Sequence, residues 1–394
     1  MQQRQAIATS AADSVQRRAE ELRTMPCIVG CDGFIDAIIH VVDQRRSMAD
    51  DDCTYIGTIE AYARRIAMAA GKSANMELVV REERFGGNGP LLAGGLAQYG
   101  LPVRYIGAVG SDDDSKRPHA VFAPFVQRVE RGGGSVTPLA PPARTDALEF
   151  DDGKLMLGKP ANLDSITWER LVGEFGVQSL REAFGGAKLI GLVNWVMMRG
   201  AQGIWQGLID DVFSQLPPSP SSTARPRVFL DLCDPAKRTD GDVASAMDLL
   251  GVMAKHVPVT LGLNLSEAQR IDAVLGTQAI PEEASDEQLR AACELIRARL
   301  GIDCVVIHPR HGAAAAFADG QSAWFTGPLV KQPKLSTGAG DHFNAGFCLG
   351  QLLRLEVGQC LALGTATSGA YVRDAESPTV ERLVTMLRDM PRPE

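Results

Sequence analysis

The sequence predicts a doubly wound α/β fold, a mainly parallel sheet flanked by helices. Two observations carry that prediction. Short apolar runs recur along the chain, each closing on a small or polar residue, and stretches with helical spacing lie between them. The runs are apolar on both faces, which suits parallel strands covered by helices on each side. Composition agrees. At 394 residues, 45% hydrophobic and 22% charged, the chain has the length and make-up of one large α/β domain carrying an appendage.

Taken in order, residues 1–25 read as an N-terminal helical extension, with helical spacing over 5–22. Residues 26–390 form the main domain. Its apolar runs at 27–30, 104–109, 188–193, 227–232, 258–263 and 304–307 are the expected strands, and 91–99, 203–216, 242–255 and 286–300 the expected helices. Two insertions break this rhythm. Residues 40–85 hold an amphipathic helix at 55–70 and a strand-like run at 76–81, and 143–158 read as a hairpin around Asp151-Asp152-Gly153. Together they are expected to pair into a small β-rich lid over the strand ends. The Pro- and Ser-rich stretch 217–226 reads as a surface loop. Ligands of such sheets sit at the carboxyl ends of the strands. The residues that close the runs are therefore candidates: Asp32, Asp36, Asn194, Asp231, Asp234 and Asn264. Each is also a turn former, which is the competing reading.

Charge and cysteine usage exclude several classes. The net charge is −8, from 40 basic and 48 acidic residues with no long basic run, so a dedicated nucleic-acid or anionic-membrane binder is not expected. No stretch reaches the length of a membrane span, and the first 24 residues lack the apolar core of a signal peptide. The eight cysteines show no CxxC pair, and most lie in apolar runs. They read as buried thiols of a reducing cytoplasm; Cys27 and Cys31 lack the second ligand pair that zinc needs.

The chemistry concentrates in Ser336-Thr337-Gly338-Ala339-Gly340-Asp341-His342-Phe343-Asn344-Ala345-Gly346. A glycine-rich turn feeds a helical run at 343–355, so free amides of a helix start face whatever lies beyond the turn. Such amides and the helix dipole favour an anion. A carboxylate at Asp341 is then placed to take a proton from an alcohol attacking phosphorus. The competing reading is a helix N-cap in a tight turn. Other phosphate motifs fail. A dinucleotide fingerprint would need glycine where Phe343 stands, and Gly71-Lys72-Ser73 lacks the earlier glycine of a P-loop, having Ile66 there.

These residues resemble the ribokinase-like (PfkB) carbohydrate and nucleoside kinases. The glycine turn is similar to that family's C-terminal signature; Asn264-Leu265-Ser266-Glu267 to its Asn-x-x-Glu box; Gly86-Gly87-Asn88-Gly89-Pro90 to its sugar-binding turn; and Gly107-Ala108-Val109-Gly110-Ser111-Asp112 to its Gly-x-Val-Gly-x-Asp. The resemblance covers about residues 26–390. It implies a ribokinase-like fold and transfer of the γ-phosphoryl group of ATP, with Mg²⁺, to a hydroxyl of a sugar or sugar-like substrate. Asp341 would be the base, with the amides of Gly338, Ala339 and Gly340 as the anion hole. Asn264 and Glu267 would organise Mg²⁺ through water, and Thr337 and Gly312 would join them on the nucleotide. Asp36, with Asp32 as a second ligand, and Gly86, Gly87, Asn88 and Asn194 would line the acceptor pocket. A homodimer through the lid is the assembly it implies. A nucleoside kinase, with Phe34 or Trp195 stacking on a base, and a catalytically weak binder of the same fold are the alternatives.

The chain departs from the family pattern where Pro90 and Leu91 follow the sugar-binding turn, in a spacing from Gly30 to Asp36 one residue longer than common, and at two further places that bear on ligands. Ser336 stands where the signature has an aspartate that helps hold a monovalent cation, so potassium is expected to change the rate little. Ile307-His308-Pro309-Arg310-His311-Gly312 keeps only the last glycine of the family's nucleotide-side strand end, and Pro309 brings no N–H. His308, His311, Arg144 and Arg238 are further candidates for contact with phosphate or an anionic substrate.

Overall fold

In the computed structural model, residues 2–393 are described apart from 50–51, 218–224 and 278–279, so most of the expected loop at 217–226 lies outside the described residues. The strands are β1 (Cys27–Cys31), β2 (Phe34–Arg45), β3 (Cys53–Tyr55), β4 (Leu78–Gly86), β5 (Val103–Gly107), β6 (Ser135–Pro138), β7 (Ala143–Phe150), β8 (Gly153–Lys159), β9 (Leu189–Val193), β10 (Arg227–Asp231), β11 (Val259–Leu263), β12 (Cys304–Ile307), β13 (Gly312–Phe317) and β14 (Ser322–Thr326). The helices are α1 (Gln2–Arg17), α2 (Ile59–Ala67), α3 (Asn88–Gln98), α4 (Ala123–Arg131), α5 (Trp168–Phe175), α6 (Val177–Gly186), α7 (Ala201–Gly207), α8 (Asp240–Met253), α9 (Leu265–Leu275), α10 (Asp286–Leu300), α11 (Ala339–Leu352), α12 (Val357–Asp374) and α13 (Val380–Arg388).

The runs apolar on both faces become a sheet ordered β14-β13-β12-β11-β10-β9-β1-β5-β6 among the described residues. It is parallel from β6 to β12, and β13 and β14 close it antiparallel. Strand β1 sits between β5 and β9, so the winding reverses there and a crevice opens at the carboxyl ends. Alternate residues feed two cores. Ile28 packs on one face with Leu192 and Leu230, and Val29 on the other with Leu92 and Phe347. Each such side chain, fully buried, contributes about 1.5–3 kcal/mol.

The second sheet is ordered β3-β2-β7-β8, with β4 pairing β2 on the other side. It begins at Phe34, directly after the Asp32-Gly33 turn. Gly33 is obligatory there, since a Cβ would lie 2.0 Å from the Ala108 carbonyl oxygen. Helix α2 starts at Ile59, capped by Thr58, and not at 55, because Tyr55 is drawn into β3 opposite Val42. Together α2 and the sheet enclose a small core of Ile39, Val41, Ile56 and Leu148. Helix α1 packs on α12 and α13 through Ala8, Ala11, Ala12 and Val15, all fully buried. No described helix is long and apolar enough to cross a membrane, and the eight cysteines are free.

Candidate active site

Two helix starts meet at the crevice. Helix α11 follows Gly338, whose φ of 85° lies in the left-handed region that glycine adopts without cost. No side chain caps it. The Ala339 amide turns back to the Ser336 carbonyl at 3.2 Å, whereas the amides of Gly340 and Asp341 find no acceptor among the described residues. Of the amides expected to form the anion hole, Ala339's is thus engaged, those of Gly338 and Gly340 find no acceptor among the described residues, and the Asp341 amide joins them. The turn is held firmly from behind, where the Tyr371 hydroxyl donates to the Thr337 carbonyl at 2.8 Å.

Asp341 lies in that first turn, 7% exposed, and accepts a hydrogen bond from Asn88 Nδ2 at 2.9 Å. Its carboxyl pKa is pushed well above the ordinary value. Burial is the main cause, the charges of Asp231, Asp32 and Glu267 add to it, and the Asn88 bond opposes it. The group is therefore a stronger base than a free aspartate.

Helix α3 starts after Gly87, at φ 99°, and its open amides are filled from within. Asp32 takes the Asn88 and Gly89 amides at 2.9 and 2.7 Å and Asn194 Nδ2 at 2.6 Å. It is fully buried, and burial raises its pKa to about 6 against the pull of those bonds. This corrects the expectation that Asp32 holds substrate hydroxyls, because both oxygens are spent on the fold. Asn194 is 2% exposed with a left-handed φ of 61°, and its Oδ1 is buried without a partner. Asp36 comes after the first strand, inside β2, and presses on Gly86, where a Cβ would lie 2.2 Å from its Oδ2. Its pKa is raised by burial, against a Thr145 hydrogen bond and the Lys154 charge.

The Asn264/Glu267 pair is a capping box on α9. Asn264 Oδ1 takes the Glu267 amide at 3.0 Å, and Glu267 takes the amides of Asn264 and Asp234 at 2.8 and 3.1 Å. Burial and Asp231 raise the Glu267 pKa to about 8. Asp231 itself accepts Asn344 Nδ2 at 2.7 Å and the Cys233 amide at 3.0 Å, and its pKa is also raised by burial. Cys233 and Asp234 follow with left-handed φ values of 60° and 50°, local strain concentrated at the strand end.

Beside the open end of α11 lies a cleft of about 420 Å³, bordered by Asn264, His308, Gly312, Gly327, Ala339 and Thr365. His308 lies tilted against Phe343, ring centroids 4.6 Å apart, with Nε2 sealed from solvent and unpaired; burial lowers its pKa to about 4, so the ring is neutral. Other candidates are occupied elsewhere. His311 lies against Trp324 and within 3.3 Å of Asp286, and Arg144 pairs with Asp112 at 2.7 Å. Arg238 lies over Trp195 and donates to the Val196 and Trp195 carbonyls. Phe34 and Trp195 are 5% and 1% exposed, which closes both to a stacking base.

Sequence reasoning named Asp231 only as a strand end and missed Asn344 and Lys154. Asn344 sits one helical turn past Asp341 and was legible by that spacing. Nothing in the sequence places Lys154, whose Nζ donates to Thr337 Oγ1 at 2.6 Å from the second sheet to the turn ahead of α11.

Comparisons with known proteins show the family and the fold of the chain. A sequence profile described as prokaryotic ketohexokinase matches residues 4–390. A ketohexokinase of Haloferax volcanii is 28% identical over 378 residues, covering 95% of this chain and 93% of that protein. Among solved structures, a variant of phosphofructokinase-2 from Escherichia coli superposes with a TM-score of 0.61 at 13% identity, covering 93% of this chain and 99% of that one. A ribokinase from Cryptococcus neoformans, solved with ADP, gives 0.57 at 16% identity over 93% and 98%.

Proposed function

This chain belongs to the prokaryotic ketohexokinase family, carbohydrate kinases of the ribokinase fold, and we propose that its site moves the γ-phosphoryl group of ATP to a hydroxyl of a ketohexose. One observation carries the reading. A buried, strongly basic carboxylate, Asp341, stands in the same helical turn as the open Gly340 and Asp341 amides, with the cleft beside them. The acceptor oxygen bonds to the γ-phosphorus, the bond from that phosphorus to the bridging oxygen breaks, and ADP leaves with the electron pair. The hydroxyl proton passes to Asp341. The open amides stabilise the charge on the transferring group. Asn88 orients the carboxylate through its hydrogen bond, and Asp36 grips acceptor hydroxyls from β2.

The donor set fits a magnesium ion held mainly by nucleotide phosphates and water. Asn264 borders the cleft, Glu267 keeps lone pairs beyond its two amide bonds, and the clustered carboxylates raise one another's pKa, a charge excess that a divalent cation relieves. When bound, the ion would offset charge between the donor phosphates. Asn264 and Glu267 would hold its waters, and Thr337 and Gly312 the nucleotide. The buried Phe34 and Trp195 argue against a nucleoside acceptor. The second sheet leaves Val80, Met156 and Leu157 54%, 46% and 49% exposed, which supports pairing of two copies through it.

The test is a phosphotransfer screen with ATP and Mg²⁺ over ketohexoses, aldoses, sugar acids and nucleosides, read as ADP release and phosphorylated product. Ketohexoses are expected to lead. A nucleoside as best acceptor, or no product from any sugar, would overturn the reading.

A further inference from the structure

Lys154 is the second residue of β8 at the tip of the second sheet, next to Gly153 at φ 155°. Its ammonium reaches the turn ahead of α11 and donates to Thr337 Oγ1 at 2.6 Å, although the two residues are 183 apart in sequence. Among the described residues it forms no ion pair, so two of its protons stay unspent. Its charge is felt by Asp36, whose pKa it lowers. One cation therefore spans the acceptor-side carboxylate and the turn that carries the open amides. The lysine's partner is a neutral hydroxyl two residues before the start of α11, which is weak company for an ammonium. An arriving phosphoryl group at those amides offers it far more.

We propose that Lys154 is a catalytic residue delivered by the second sheet, whose ammonium leaves Thr337 and donates to the phosphoryl group in flight. This rests on the function proposed above. The hydroxyl proton still goes to Asp341 and the lysine keeps its own protons. It acts by matching charge that grows as the phosphoryl group loosens between two oxygens. Because the cation rides on β8, it is present only while the second sheet covers the crevice. Transfer to water in an uncovered site is thereby disfavoured.

The test compares wild type, Lys154→Met and Lys154→Arg. Lys154 is exposed, so both variants are expected to keep the wild-type circular dichroism and Tm. Lys154→Met should lower kcat with the best ketohexose by about 10²-fold while the sugar KM moves little, as loss of one transition-state donor does. Lys154→Arg should recover part of that loss. The readout that a structural role would not move is affinity for ADP with aluminium fluoride and sugar. Lys154→Met should weaken that affinity by a similar factor while binding ADP alone as wild type does. Wild-type kcat in Lys154→Met, or equal loss for ADP alone, overturns the inference and leaves the kinase assignment standing. An inactive wild type overturns the assignment first, so the two failures are distinguishable.

Discussion

The starts of α3 and α11 face each other across the crevice, built alike and finished differently. Each follows a glycine at positive φ, and neither has a side-chain cap from its own N-cap residue. At α3 the amides are taken by Asp32, a carboxylate of the protein that is fully buried. At α11 the amides of Gly340 and Asp341 are open, and the nearby carboxylate, Asp341, points to Asn88. The same device serves the fold at one end and is left free for an anion at the other. Asn88 joins them, its backbone amide on Asp32 and its side chain on Asp341.

The largest effects should separate the two carboxylates. Asp341→Asn should lower kcat by about 10²-fold or more, as loss of a general base does. It should also stabilise the fold. Asp341 has a raised pKa in the folded state, so the stability it contributes is full below the unfolded pKa and is lost as pH rises through the folded one. The Tm gain of Asp341→Asn should accordingly be near zero in acid and grow as pH rises above the ordinary carboxylate range. Asp32→Asn should do the reverse. It leaves a buried amide unpaired and should cost about 1–3 kcal/mol in denaturant titrations, with far less effect on kcat per folded molecule. If Asp32→Asn abolished turnover at full stability, the two ends would not differ as argued.

A smaller effect tests the link between them. The Asn88 hydrogen bond stabilises the charged form of Asp341, so Asn88→Ala should raise the pKa of that group further. The rate rises with pH as the base ionises, and the acid limb of the kcat profile should therefore move to higher pH. At neutral pH turnover should fall about tenfold, recovering in alkali. A uniform loss at every pH would show that Asn88 merely positions the turn.

Much of this was legible before any coordinates. The α/β order followed from runs such as Cys304–Ile307, whose every residue is buried between two helical layers. The glycine turn followed from small residues ahead of Asp341. What escaped depends on distance in space. Asp32 reads as a strand-end ligand, and only the fold closes Asn88, Gly89 and Asn194 around it. The Asn264/Glu267 pair spells a capping box and a metal motif equally well in one dimension, and the bonds observed are those of the capping box. Lys154 belongs to a hairpin whose local pattern says nothing about a turn 183 residues away. Trp195 and Phe34 read in one dimension as stacking aromatics near the acceptor pocket; in the fold both are buried.

The smallest expected effect concerns the open end alone. Ser336 stands just before the α11 turn, where the resemblance calls for an aspartate, and its carbonyl is already engaged by the Ala339 amide. A neutral hydroxyl offers a monovalent cation none of the charge that would repay its dehydration. Exchanging potassium for sodium at constant ionic strength should thus change kcat/KM by less than about twofold, under 0.5 kcal/mol of barrier. Ser336→Asp should place a carboxylate there and make the rate respond to potassium. Several-fold activation of the wild type by potassium but not sodium would mean that backbone carbonyls alone build a cation site at α11, and that this end carries a second ligand besides the phosphoryl group.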